Sequence, residues 1–219
     1  MIAVQNLLKE LHDSRIRLVA VSKTKPVEQV MEIYNQGQRV FGENIVQELA
    51  AKYEQLPKDI EWHLIGHLQT NKVKYVTPFV AMIESVDSFK VLKEIDKQAG
   101  KNGRVIDCLL EIRIAEEESK YGFTYEEVEA MLQSPEFKAL KNIRICGVMG
   151  IGTFTEDETQ THLEFRGLKQ FFDQLKSAYF ADKDYFREIS MGMSGDYEIA
   201  IEEGSTMVRI GSLIFGERG

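Results

Sequence analysis

The chain is short of the residues that staple or interrupt small folds. Among 219 residues there are two cysteines, four prolines and one tryptophan. Cys108 and Cys146 lie far apart, each inside an apolar strand-like run, and no C-x-x-C pair occurs. This excludes a zinc ribbon or a disulfide framework and fits a reducing, cytoplasmic compartment. No apolar run is long enough to span a membrane, and residues 1–10 read as amphipathic rather than as a signal peptide. Positive charge is also scarce: 27 basic against 35 acidic residues give a net charge of -8. That excludes a general nucleic-acid binder but leaves room for a small anion in a local pocket. The four histidines, His12, His63, His67 and His162, lack metal-ligand spacing. No Ser-His-Asp set is legible by spacing, and no G-x-G-x-x-G follows the first strand.

What the chain does have is alternation. Residues near 1–14 form a leading amphipathic helix. Strands are then expected at Leu18–Val21, Arg39–Gly42, Glu61–Gly66, Phe79–Val86, Val105–Ile114, Ile143–Met149, Phe186–Met191 and Thr206–Ile210. Helical spacing falls between them, with the helices expected at 27–36, 45–55, 71–76, 89–99, 125–132, 164–180 and 196–203. With no Pro/Gly-rich linker, this predicts one α/β domain over 1–219, a parallel (β/α)8 TIM barrel with an additional N-terminal helix. An open doubly wound sheet is the competing architecture.

In a barrel, chemistry collects at the strand C-termini. The first strand ends at Ser22-Lys23-Thr24-Lys25-Pro26. A lysine held there, partly out of water, can lose its proton and attack a carbonyl. Lys25 is the rival, expected to be exposed or to tune charge nearby. Ser194, after the seventh strand, and Gly211-Ser212, closing the eighth, fall in loops that bind phosphate in many barrels. A bare helix cap at Ser194 and a turn at Gly211 fit those residues too. Arg209 lies between Val208 and Ile210 and needs either an acidic partner or a ligand heteroatom. His63 fits a hydrogen-bonded core group as well as a ligand, and His67 fits a cap for the next helix. The acidic run Glu116-Glu117-Glu118 fits a solvated loop. A lysine nucleophile, a phosphate anchor and an arginine suit pyridoxal phosphate. A barrel enzyme acting on a phosphorylated metabolite without cofactor is the alternative from the residues alone.

Five ordered segments carry a resemblance: 21–26 (VSKTKP), 41–44 (FGEN), 62–72 (WHLIGHLQTNK), 191–194 (MGMS) and 204–211 (GSTMVRIG). Together they resemble the pyridoxal phosphate homeostasis (YggS/PROSC) family, over essentially the whole chain. The resemblance implies a barrel similar to the N-terminal domain of fold-type III enzymes such as alanine racemase. It implies that Lys23 forms the Schiff base with the cofactor, that Ser194, Gly211 and Ser212 hold phosphate, and that Arg209 faces the pyridine nitrogen. It further implies that Asn44, His63 and Met149 line the cofactor and that Lys120, in Ser119-Lys120-Tyr121-Gly122, moves cofactor in or out. The expected function is to hold pyridoxal 5′-phosphate and to buffer or deliver it, with apo-enzymes as candidate recipients and a monomer as the unit. A weak amino-acid racemase is the alternative. The chain stops at Gly219, leaving no room for the extra β-domain that supplies a tyrosine in related racemases. Efficient racemisation is therefore not expected, and no catalytic residue is assigned.

Overall fold

The computed structural model describes residues 2–116 and 121–216. Lys120, most of the acidic run and the last three residues lie outside the described residues. Eight parallel strands form a closed barrel: β1 (Arg17–Val21), β2 (Val40–Glu43), β3 (Glu61–Leu64), β4 (Met82–Val86), β5 (Ile106–Ile112), β6 (Ile143–Gly150), β7 (Glu188–Ser190) and β8 (Met207–Ile210). Each strand pairs with the next, and β8 returns to β1 from Arg17↔Met207 to Ala20↔Ile210. The helices are α1 (Ile2–Asp13), α2 (Val27–Asn35), α3 (Val46–Gln55), α4 (Val73–Val76), α5 (Phe89–Lys101), α6 (Tyr125–Gln133), α7 (Pro135–Lys138), α8 (Glu158–Tyr179), α9 (Tyr197–Glu202) and α10 (Ser212–Phe215).

Two apolar layers result from the two faces of each strand. Outward residues such as Leu18, Ala20, Phe41 and Trp62 pack against the helices in the main core. Inward residues Val19, Met82, Leu109, Cys146, Met149 and Met207 form a separate cluster inside the barrel. Cys146 and Met149 are three apart, so strict alternation would put them on opposite faces. A bulge explains why both point in: the β5–β6 register shifts between Cys108 and Leu109, leaving Cys146 as the extra residue. Gly147 makes this possible. Its φ is +154°, and a Cβ there would lie 1.7 Å from the Glu188 carbonyl oxygen of β7.

The expected strands and helices are all present, with shifted edges. β4 starts at Met82 rather than Phe79, because Val80 N–H still bonds back to Val76 and Phe79 stacks on Tyr53. β3 and β7 are shorter than expected, and the helix expected at 71–76 begins with a 3-10 turn, Thr70–Lys72. α8 starts six residues before Glu164, because Asp157 caps it by accepting from Thr159 and Gln160 N–H. Two one-turn helices, α7 and α10, are too short to show a periodic pattern.

Gly147→Ala is expected to destabilise the fold by about 3 kcal/mol or more, since neither backbone can yield without breaking strand pairing. Denaturant unfolding checks this, and a loss below about 1 kcal/mol would show that the bulge tolerates a side chain.

Candidate functional site

The site starts where β1 ends. Ser22 N–H still pairs with Gly42 O at 3.0 Å, and Lys25 N–H then bonds back to Ser22 O at 3.0 Å. This closes a four-residue turn with Lys23 second and Thr24 third. Thr24 has φ +64°, a left-handed conformation that a β-branched residue resists. Pro26 then sits at the N-cap of α2. Lys23 thus lies two residues beyond the strand, half-buried at the barrel mouth.

A cavity of about 420 Å³ opens there. Val21, Lys23 and Lys25 line it from the first strand and its turn, and Asn44 and Ile65 from beyond β2 and β3. Met193, Ser194 and Gly195 come from the loop after β7, and Arg209, Gly211 and Ser212 from β8 and the start of α10. The wall includes two lysines and an arginine, with no carboxylate among the described lining residues. In a chain of net charge -8, that local excess favours an anion. Ser194 Oγ accepts from Gly211 N–H at 3.3 Å, tying the two loops together. The first amides of α10 have no acceptor within that helix. Asp196 does not oppose an anion from inside the cavity: it is absent from the wall and accepts from Met193 N–H at 2.5 Å.

Arg209 is 4% exposed. One guanidinium nitrogen donates to Ser190 Oγ at 2.6 Å and the other to Gly150 O at 2.9 Å. Ser190 Oγ donates to Glu84 Oε2 at 2.6 Å, and the other Glu84 oxygen meets His63 Nδ1 at 2.6 Å. Burial pushes the Glu84 carboxyl up, but His63, the Arg209 charge and Ser190 outweigh it and hold the group below its usual value. Glu111, on β5, has no such bonds among the described residues. Burial and then the Asp87 charge push it up to about 7, against Arg209. Nearby, His67 Nδ1 pairs with Asp87 Oδ2 at 2.6 Å, and its ring stacks on Tyr121 at 3.7 Å.

Residues 4–219 match the family model described as alanine racemase, N-terminal domain. A pyridoxal phosphate homeostasis protein of Aquifex aeolicus is 43% identical over 92% of this chain and 87% of its own length. The human protein of that name is 39% identical over 99% and 82%. This chain belongs to the pyridoxal phosphate homeostasis protein family. PipY of Synechococcus elongatus, solved with PLP bound, superposes with a TM-score of 0.86 at 33% identity, covering 97% of this chain and 100% of that one. Alanine racemase of Clostridium difficile shares the fold, with a TM-score of 0.78 at 16% identity, covering this whole chain and 60% of its own.

Of the residues that the family resemblance pointed to, Lys23, Asn44, Ser194, Arg209, Gly211 and Ser212 meet on one cavity wall. His63 and Met149 do not reach that wall. Both are fully buried inside the barrel, His63 against Glu84 and Met149 in the interior cluster. Of the two expectations for Lys25, exposure or charge placed near Lys23, the second fits: it shares the wall with Lys23, and its ammonium donates to Phe215 O and Gly216 O, each at 3.2 Å. Ser194 is no helix cap, since the N-cap of α9 is Asp196. His67 caps nothing and pairs with Asp87 instead. Sequence reasoning missed Glu84, Ser190 and Glu111 as partners of the site. The available signal was a carboxylate inside an apolar run, in Ile83-Glu84 and in Leu110-Glu111-Ile112.

Glu111 yields a pH prediction. Its carboxyl titrates near 7 when folded and near 4.5 otherwise, so the folded state binds the proton more tightly. Stability from this group is fully present below about 4.5 and is lost as pH rises through about 7. Glu111→Gln should remove that slope, raising Tm relative to wild type at pH 8 but not at pH 4.5. Parallel Tm–pH curves for the two proteins would contradict it.

Proposed function

We propose that this chain binds pyridoxal 5′-phosphate in the cavity at the C-terminal rim of the barrel, and holds it in reserve for apo-enzymes that need it. The carrying observation is the convergence of Lys23, the linked Ser194–Gly211 loops and Arg209 on one wall whose described residues include no carboxylate. The fit has a second support. The side-chain oxygen of Asn44, on the same wall, is buried with no hydrogen-bond donor among the described residues, so the cavity offers an acceptor to its contents. The names of the relatives and the PLP held by PipY point the same way.

When bound, the cofactor would supply an aldehyde with which a primary amine can condense, the aldehyde oxygen leaving as water with the two amine hydrogens. Lys23 is the amine we assign to it. Ser194 donates its hydroxyl to the phosphate, the Gly211 N–H turns to it from Ser194 Oγ, and Ser212 lends a second backbone amide at the start of α10. Lys25 adds positive charge to the same wall. Arg209 serves the ring nitrogen as a fixed donor. A guanidinium does not give up its proton in a protein, so that nitrogen stays unprotonated and the ring remains a weak electron sink. This favours storage over rapid turnover. The working unit in this reading is the monomer.

Purified protein incubated with pyridoxal 5′-phosphate should absorb near the edge of the visible range, and borohydride should fix a label that peptide mapping finds on Lys23. A label on Lys25, or none, would overturn the assignment. Ser194→Ala should weaken cofactor retention by about 1–3 kcal/mol through loss of a charge-assisted bond. Unchanged retention on equilibrium dialysis would remove Ser194 from the phosphate site. A chiral assay over the amino acids should find no sustained D-alanine formation, and sustained turnover would favour a racemase.

A further inference from the structure

Lys52 of α3 is a buried lysine outside the cavity, with 6% of its side chain exposed. Its ammonium has three hydrogens and three acceptors: Glu43 Oε1 at 2.6 Å, Glu48 Oε1 at 2.8 Å and the Ser22 carbonyl at 2.6 Å. Each carboxylate has a second duty. Glu43 Oε1 also accepts from Ser22 Oγ at 2.6 Å, and Glu48 Oε1 accepts from Thr24 N–H at 2.6 Å. Ser22 and Thr24 are the two neighbours of Lys23. One cation and its two counter-charges therefore hold the backbone on both sides of that residue.

We propose that Lys52, gripped between Glu43 and Glu48, is a positioning residue that presents the Lys23 amine to the cavity by fixing Ser22 and Thr24. The proposal rests on the reading of Lys23 as the attachment point. Three observations support a device rather than a generic ion pair. Burying the Lys52–Glu43 pair is costly, and apolar residues of similar volume would stabilise the strand–helix contact as well. The ammonium spends a bond on the Ser22 carbonyl, which also accepts from Lys25 N–H and so closes the turn. The Thr24 N–H bond to Glu48 anchors the residue whose left-handed backbone would otherwise relax. Rigid placement of a reacting group matters steeply, because a shift of about 1 Å can cost a hundredfold in rate.

The test separates aim from stability. The double variant Glu43→Gln with Lys52→Met removes the cation together with its buried counter-charge, so that this charge is not left alone. Glu48→Ala, at a partly exposed position, releases Thr24 and keeps the Lys52–Glu43 pair. For each folded variant, two quantities are measured on the full chain. One is the rate and position of borohydride-fixed label after mixing with pyridoxal 5′-phosphate. The other is the affinity for 4-deoxypyridoxine 5′-phosphate, which has no aldehyde and reports the cavity alone. Attachment at Lys23 should slow about tenfold or more in the double variant and several-fold in Glu48→Ala, with label spreading to Lys25. Affinity for the deoxy analogue should stay within about threefold of wild type, inside about 0.7 kcal/mol.

Wild-type attachment rates at Lys23 in Glu48→Ala, or in a folded double variant, would overturn the proposal. So would an equal loss of analogue binding, which would make the network merely structural. Wild-type protein that neither takes the label nor binds the analogue would instead sink the cofactor reading itself, and the proposal with it.

Discussion

The guanidinium of Arg209 sits inside a closed barrel, and the upper interior is built around keeping that charge there. An unpaired buried charge costs about 3–5 kcal/mol, so its partners are structural necessities. Ser190 Oγ and the Gly150 carbonyl take its hydrogens, Glu84 balances its charge through Ser190, and His63 occupies the other Glu84 oxygen. These groups come from β3, β4, β6, β7 and β8, so the chain locks five strands into one hydrogen-bonded layer. The result is a cation that cannot swing and cannot titrate in the working range.

A second buried cation, Lys52, does similar work on the opposite face of the sheet wall. It lies between α3 and the end of β1, and its acceptors clasp the turn that carries Lys23. The two lysines and the arginine thus have separate duties. Lys23 faces the cavity, Lys52 holds the turn behind it, and Arg209, on the neighbouring β8, adds its fixed charge to the same wall. Parallel closure makes this division possible, because all eight strand C-termini converge on one rim while their flanking residues reach outward into the helical layer.

Much of this was legible in the sequence for a physical reason. Val19 and Val21 alternate inward with Leu18 and Ala20 outward, and Pro26 stops the strand, so the place of Lys23 at the rim follows from local rules. Ser194 and Gly211-Ser212 were likewise placed by strand order alone. Contacts across the barrel were not legible. Nothing local pairs Glu84 with Ser190, 106 residues apart. The family resemblance put His63 at the cofactor while the residues alone also fitted a hydrogen-bonded core group, and the Glu84 carboxylate holds it in the interior. The β6 bulge turns Cys146 and Met149 to the same side, and only the Gly147–Glu188 approach shows it. The bonds that hold Lys25 beside Lys23 were not legible either, because they go to carbonyls at the end of the short α10 and just after it, and four residues leave no periodic trace.

The most direct measurement is a crystal structure of the protein grown with pyridoxal 5′-phosphate. The account predicts density continuous from Lys23 Nζ into the cavity, phosphate against Ser194 and the amides of Gly211 and Ser212, and the ring nitrogen beside Arg209. Cofactor density joined to a different lysine, or phosphate lying away from the Ser194–Gly211 loops, would contradict it.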